Sequence, residues 1–393
     1  MNIAILCFGI ASISSVSGIE KVFVDMANQF AQKGDTVYSV WNDEPGIAPY
    51  YSFLPQVRKI NLGLGKIKAP MRYKILREVA KGLHLNITNY VDKYKTERLC
   101  QSIRNKIDIS DIDIVVCYEF NSVMVANKLF NGKIPIVAMC HNSIESQIAT
   151  LTPLQRKEAS KVTIYQVLMP SFVNKARKLI DTKICYIPNV VKPVPDNETA
   201  DLAADKKIYK ITMIGRIDKN QKRPLIAIKS FLEIASRFRN WELHFYGPIT
   251  DQQYKKEIDE YIRVYDIHHQ VIYKGITNNP MNILHNTDIF AFPSAYEGFG
   301  LSLTEANSMG VPAIGFATAP AVNEIIKNNI TGFLVEDEKE FTEKLAMLME
   351  NKVLRTQMGK AAHRAMDEYS PNIVWGKWSQ LLNKLITENK KGR

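Results

Sequence analysis

Cysteine is scarce in this chain, five residues in 393, and the five (Cys7, Cys100, Cys117, Cys140 and Cys185) form no CxxC pair and no cluster with histidine. A disulfide framework and a cysteine-based zinc site are thereby set aside, and buried thiols in a reducing compartment are expected. Long apolar runs are missing as well: no stretch approaches the roughly 18 residues that a membrane-spanning helix needs. The run Ile3–Phe8 has no basic flank and no small-residue cleavage site after it. It reads as a first buried strand rather than a signal peptide, so a cytoplasmic protein is expected. Low-complexity tracts and short repeats are absent, and the composition excludes collagen-like and disordered chains. What is present is a globular composition, 46% hydrophobic and 23% charged, long enough for two or three domains with cores of their own.

The net charge of +11 has a location. Between Arg58 and Lys106 stand thirteen Lys/Arg and only three acids, Glu78, Asp92 and Glu97, an excess of ten in about an eighth of the chain. Ile67, Met71, Tyr73, Ile75, Leu76, Val79, Leu83 and Leu85 are interleaved with these cations, a pattern suited to an amphipathic helix. Two readings stand side by side, a solvated basic face or a surface for anionic phospholipid or charged glycolipid. No nucleic-acid motif accompanies the charge, so nucleic acid is not expected as a partner.

Short β-branched runs alternate with helical periodicity. Strands are expected at Ile3–Phe8, Val37–Trp41, Ile114–Cys117, Ile134–Met139 and Ile184–Ile187. The polar, proline-bearing stretch from Pro188 to Lys207 interrupts them, and the alternation restarts with strands at Ile211–Ile214, Leu243–Tyr246, Val271–Tyr273, Ile289–Phe292 and Ala313–Phe316. The economical reading is α/β, two doubly wound Rossmann-like domains. The expected division is 1–188 for the first domain with its basic 58–106 region, 189–206 for a linker, 207–370 for the second domain, and 371–393 for an amphipathic helix packing back on the globule.

The most informative stretch runs from Pro293 to Pro312. It reads as a strand end, a loop bearing Glu297, Gly298, Phe299 and Gly300, and a helix start at Leu301 with Glu305 about one turn in. Glycines allow close backbone approach, and helix-start amides seat a phosphate. A carboxylate accepts hydrogen bonds from two vicinal hydroxyls, which suits a ribose or a hexose. This stretch resembles the E-x7-E signature of the retaining glycosyltransferases of family four, which have the GT-B fold of two Rossmann-like domains facing a cleft. Ile214-Gly215-Arg216 followed by Gln221-Lys222-Arg223 resembles the G-R…K loop of that family, and Ser17-Gly18-Ile19-Glu20-Lys21 resembles its G-G-x-E-R loop, with Ser17 in place of the first glycine. Cys140-His141-Asn142 stands where the family carries a histidine near the donor sugar.

The resemblance implies a metal-independent hexosyltransferase that uses a nucleotide sugar, UDP-linked by preference, as substrate and requires no cofactor. Glu297 and His141 are its expected catalytic residues. Gly18, Arg216, Lys222, Gly298, Phe299, Gly300, Leu301 and Glu305 are expected to bind the donor, with the two cations on the diphosphate. The expected acceptor is a lipid-linked or surface-polysaccharide or lipopolysaccharide precursor, met at the inner face of the plasma membrane through the basic region. Asp111-Ile112-Asp113 resembles a metal-binding DxD but leads straight into an apolar run, and is expected to open a strand. The rival readings are a non-catalytic nucleotide-sugar-binding protein on the same scaffold and a basic nucleic-acid-binding module.

Overall fold

The computed structural model describes residues 1–9, 12–15, 18–82 and 89–392. The chain divides into two units, Met1–Pro188 with Trp375–Arg393, and Asn189–Val374. Each is a parallel sheet with helical crossovers.

The first unit carries seven strands: β1 (Asn2–Cys7), β2 (Thr36–Trp41), β3 (Arg58–Asn61), β4 (Ile114–Cys117), β5 (Ile136–Met139), β6 (Ile164–Val167) and β7 (Ile184–Tyr186), in the order β3-β2-β1-β4-β5-β6-β7. Ile3 of β1 lies between Val37 of β2 and Ile114 of β4. Every side chain of β4 is fully buried, because helices cover both faces of a parallel sheet and its central strands must be apolar throughout. Asp113 Oδ2 accepts the backbone N–H of Asn2 at 2.8 Å and so fixes the start of β1 against β4. The last helix, Pro371–Lys391, runs from the second unit into the first. Within the first unit Trp375 packs edge-on against Phe30 at 6.1 Å, and Lys33 Nζ donates to Ser379 Oγ at 2.8 Å.

The second unit has six strands: β8 (Tyr209–Ile214), β9 (Trp241–Tyr246), β10 (Val271–Tyr273), β11 (Ile289–Phe292), β12 (Ala313–Phe316) and β13 (Gly332–Val335), in the order β10-β9-β8-β11-β12-β13. Residues 189–206, read from composition as a linker, hold to this unit instead. Val191 N–H donates to the Tyr369 carbonyl at 2.9 Å, Ala200 N–H to that of Met309 at 2.8 Å, and Val191, Ala200 and Leu202 are buried. Proline content removes helix and sheet from such a segment without removing its apolar contacts.

The basic region forms β3, an amphipathic helix at Met71–Gly82 as its pattern suggested, and another helix at Tyr90–Arg104. Asn89 caps the third element, its side chain accepting from the N–H groups of Val91 and Asp92. Leu83 and Leu85 lie outside the described residues, as does Ser17.

Candidate functional site

In each sheet the strand order reverses beside the first strand, between β1 and β4 and between β8 and β11. Connections leave such a point toward opposite faces, and the crevice at the carboxyl ends of the strands becomes a natural ligand site. In the second unit the loops that follow β8 and β11 meet there. Ala295 N–H donates to the Gln221 carbonyl at 2.8 Å, Arg223 Nε to the Pro293 carbonyl at 2.8 Å, and Ser302 Oγ to the Ile214 carbonyl at 3.0 Å.

Where those loops touch, Lys222 Nζ donates to Glu297 Oε1 at 2.6 Å. Both side chains are nearly withdrawn from solvent, at 12% and 9% exposure, so the pair interacts through a weaker dielectric than surface charges do. Lys222 Nζ also lies 4.8 Å from the centre of the Phe292 ring, and its methylene stem lies against Gly215, where any Cβ would come within 3.1 Å of it. Neighbouring Gln221, itself buried, ties the cluster together. Its amide N–H2 donates to the Tyr296 carbonyl at 3.2 Å and reaches Glu297 Oε2 at 3.5 Å, while its Oε1 accepts from Arg216 Nη2 at 2.5 Å. Asp218 shapes the loop: Oδ1 accepts from the backbone N–H groups of Gln221 at 2.7 Å and Lys222 at 3.3 Å, and Oδ2 lies 3.8 Å from Arg216 Nε. Arg216 itself remains about half exposed. The Gln221 amide thus joins Arg216 to Glu297, which in turn holds Lys222.

Two glycines are required by the backbone. Gly300 is the N-cap of the helix Leu301–Ser308 with φ of 77°, in the left-handed region where a side chain is strained. Gly247, after β9, has φ of 138°, and a Cβ there would meet the Gly215 carbonyl oxygen at 2.0 Å, so the chain can pass behind the 215–223 loop only as glycine. Gly298 and Phe299 are buried ahead of that helix, Leu301 is half-buried in its first turn, and Glu305 follows one turn in, half-buried.

Gly18 and His141 belong to the first unit. Gly18 is exposed at the start of the helix Gly18–Gln32. His141 follows β5 and its ring stacks on Tyr118 at 4.7 Å. Its backbone N–H donates to Gln147 Oε1 at 3.0 Å, and its Nε2 is buried with no hydrogen-bond partner. Burial depresses its pKa from 6.5 to about 3, so the imidazole is neutral at ordinary pH and offers a hydrogen bond rather than a charge. Glu119, the N-cap of the helix Phe120–Phe130, accepts from the N–H groups of Phe8, Asn121 and Ser122, and burial nevertheless raises its pKa.

Gln221, Asp218 and Glu119 had no role in the sequence reading. Gln221 is adjacent to Lys222 in the motif, but an amide gives no signal until its two ends are seen to reach different side chains. No group of three or more His, Cys, Asp or Glu residues suited to a metal ion occurs among the described residues.

Residues 195–365 match the family model described as glycosyl transferases group 1. An uncharacterised glycosyltransferase of Haemophilus influenzae is 25% identical over 388 residues, covering 95% of this chain and 99% of its own. The amylovoran biosynthesis glycosyltransferase AmsD of Erwinia amylovora is 25% identical over 270 residues, 66% of this chain and 73% of its own. Among solved structures, Staphylococcus aureus TarM in complex with fondaparinux, α-GlcNAc-glycerol and UDP superposes with a TM-score of 0.76 at 15% identity, covering 97% of this chain and 99% of that one. The two parallel-sheet units are those of the GT-B fold, and the family match and the relatives together support a glycosyltransferase.

Proposed function

We propose that this protein is a retaining, metal-independent hexosyltransferase of the family-four type, which moves a hexose from a nucleotide sugar to a lipid-linked or surface-polysaccharide precursor at the inner face of the plasma membrane. The observation that carries the reading is the Lys222–Glu297 pair at 2.6 Å, with Arg216 held beside it through Gln221, at the strand-order reversal of the second sheet. Arg216 presents a fork of N–H donors to a diphosphate. Lys222 carries three N–H donors and Glu297 takes one, which leaves two for phosphate oxygens. The developing charge of a leaving diphosphate is then met by fixed cations in a site partly shielded from water.

Glu297, oriented by Gln221 and Lys222, accepts from donor-sugar hydroxyls. Glu305, half-buried on the helix that Gly300 caps, suits the two vicinal ribose hydroxyls. The amides of Phe299–Leu301 add donors at a helix start. In a front-face substitution the leaving diphosphate takes the acceptor's proton, so no strong side-chain base is required. UDP is favoured as the carrier because TarM, similar in fold, is described in complex with it. A polysaccharide precursor is favoured because AmsD is described as acting in amylovoran biosynthesis.

Thermal-shift titration with UDP-, GDP- and ADP-sugars, followed by turnover with the best stabiliser, tests this reading. Stabilisation by a UDP-sugar with hydrolysis or transfer is the expected result. Stabilisation without turnover by any donor would leave a sugar-nucleotide-binding protein in its place, and no stabilisation by any nucleotide sugar would remove the reading altogether.

A further inference from the structure

The helix Met71–Gly82 is poorly accounted for by its own packing. Of its described side chains only Ala80 is buried and only Tyr73 half-buried, the latter packed at a tilt against Tyr94 at 4.8 Å. A 12-residue helix is marginal in water without tertiary burial. Yet its four largest aliphatic side chains point away from the protein: Met71 is 67% exposed, Ile75 57%, Leu76 44% and Val79 52%. Met71, Ile75 and Val79 recur every four residues and line one stripe of a 3.6-residue helix, Arg72 stands at the edge of that stripe, and Leu76 lies beyond it toward the side that Tyr73 and Ala80 share. An exposed apolar stripe edged by an arginine is an interaction surface, not scattered exposure.

The charge around it names the partner. Residues 58–82 contain eight Lys/Arg and one acid, Glu78. Lys66, Lys68, Arg72, Lys74 and Arg77 are exposed on the helix or immediately before it, and Glu78 is paired with Arg77 at 2.6 Å. An apolar face bordered by cations is complementary to a bilayer with anionic headgroups, which meets both features at once.

We propose that the helix Met71–Gly82 lies in the surface of an anionic membrane, with Met71, Ile75 and Val79 inserted among the acyl chains and Arg72 and Lys74, which flank them, on the headgroups. The proposal deepens the membrane-side reading above and rests on it for the acceptor, but it is distinct from adhesion by charge. Attraction by charge weakens as salt rises, whereas inserted side chains keep a part of the binding that salt does not screen.

Flotation of the full chain with phosphatidylcholine vesicles, with or without phosphatidylglycerol, tests it at low and physiological salt. Wild type is expected to float with the anionic vesicles at both salt concentrations. The I75S/V79S variant, which changes no charge and touches only exposed positions, is expected to bind at least about tenfold more weakly. An Ile75→Trp reporter should shift its emission to the blue on adding anionic vesicles, as a ring leaving water does. Equal binding by I75S/V79S, no flotation of wild type, or no shift of the reporter would each overturn insertion. So would a wild-type dimer that I75S/V79S converts to monomer, since a second copy would then cover the face. Stabilisation by UDP-sugars is read in the same samples: its persistence beside failed flotation removes only this proposal, and its absence removes the transferase reading.

Discussion

The Lys222–Glu297 pair has an energetic consequence that a double-mutant cycle reads directly. With side-chain exposures of 12% and 9% and a separation of 2.6 Å, neither charge is well served by water once the other is gone. Breaking a buried pair by deleting one partner costs about 3–5 kcal/mol, because the survivor stays buried and uncompensated. The residual exposure and the second contact of Glu297, to Gln221 at 3.5 Å, place Lys222→Ala and Glu297→Ala at the lower end, each about 3 kcal/mol. The double variant leaves no orphaned charge and is expected to cost less than the two singles together, with a coupling of about 2 kcal/mol or more. Urea unfolding, followed at the second unit by hydrogen exchange of its amides, measures all three. The coupling should change little between low salt and about 0.5 M salt, since burial limits screening. Additivity within about 0.5 kcal/mol, or a coupling that vanishes with salt, would refute the claim that the two side chains form one shielded unit.

Three further outcomes follow from the same geometry. Gln221→Ala removes the acceptor of Arg216 and the donor to Tyr296 and Glu297. With bonds to charged groups worth about 1.5–3 kcal/mol, kcat/KM is expected to fall by about 10–100-fold, and Gln221→Glu, which cannot donate to Glu297, should not rescue it. Gly300→Ala places a side chain at φ of 77° and is expected to cost about 1 kcal/mol by thermal unfolding and to weaken the response to donor; an unchanged Tm would show that the turn relaxes freely. His141, with its pKa near 3 in the folded protein against about 6.5 unfolded, binds fewer protons when folded, so its contribution to stability is complete above about pH 6.5 and is lost as the pH falls toward 3. His141→Phe should flatten that limb of the stability profile, and the His141 ring should show no protonation by NMR at pH 5.

The sheets were legible because buried parallel strands are continuous apolar runs. Ile114–Cys117 and Ile289–Phe292 are such runs, buried along their whole length. The strand Arg58–Asn61 was not legible, since an edge strand with two exposed cations lacks that signature. Ile164–Val167 was missed because Tyr165 and Gln166 interrupt the aliphatic run, although both side chains are buried. At the site, the residue types and spacing around Lys222 and Glu297 pointed to charge chemistry, but their mutual contact depends on how far the loops after β8 and β11 reach, which no local pattern encodes. The helix Met71–Gly82 shows the same limit from the other side. Its amphipathic pattern was visible, and only the structure reveals that the apolar face is the one left uncovered.

The most direct measurement is NMR of the earliest product formed from an α-linked UDP-sugar by wild type and by Glu297→Ala. The account expects wild type to deliver sugar with the donor's α configuration kept, and Glu297→Ala to deliver none above background. Inverted product from wild type, or equal turnover by the variant, would contradict it.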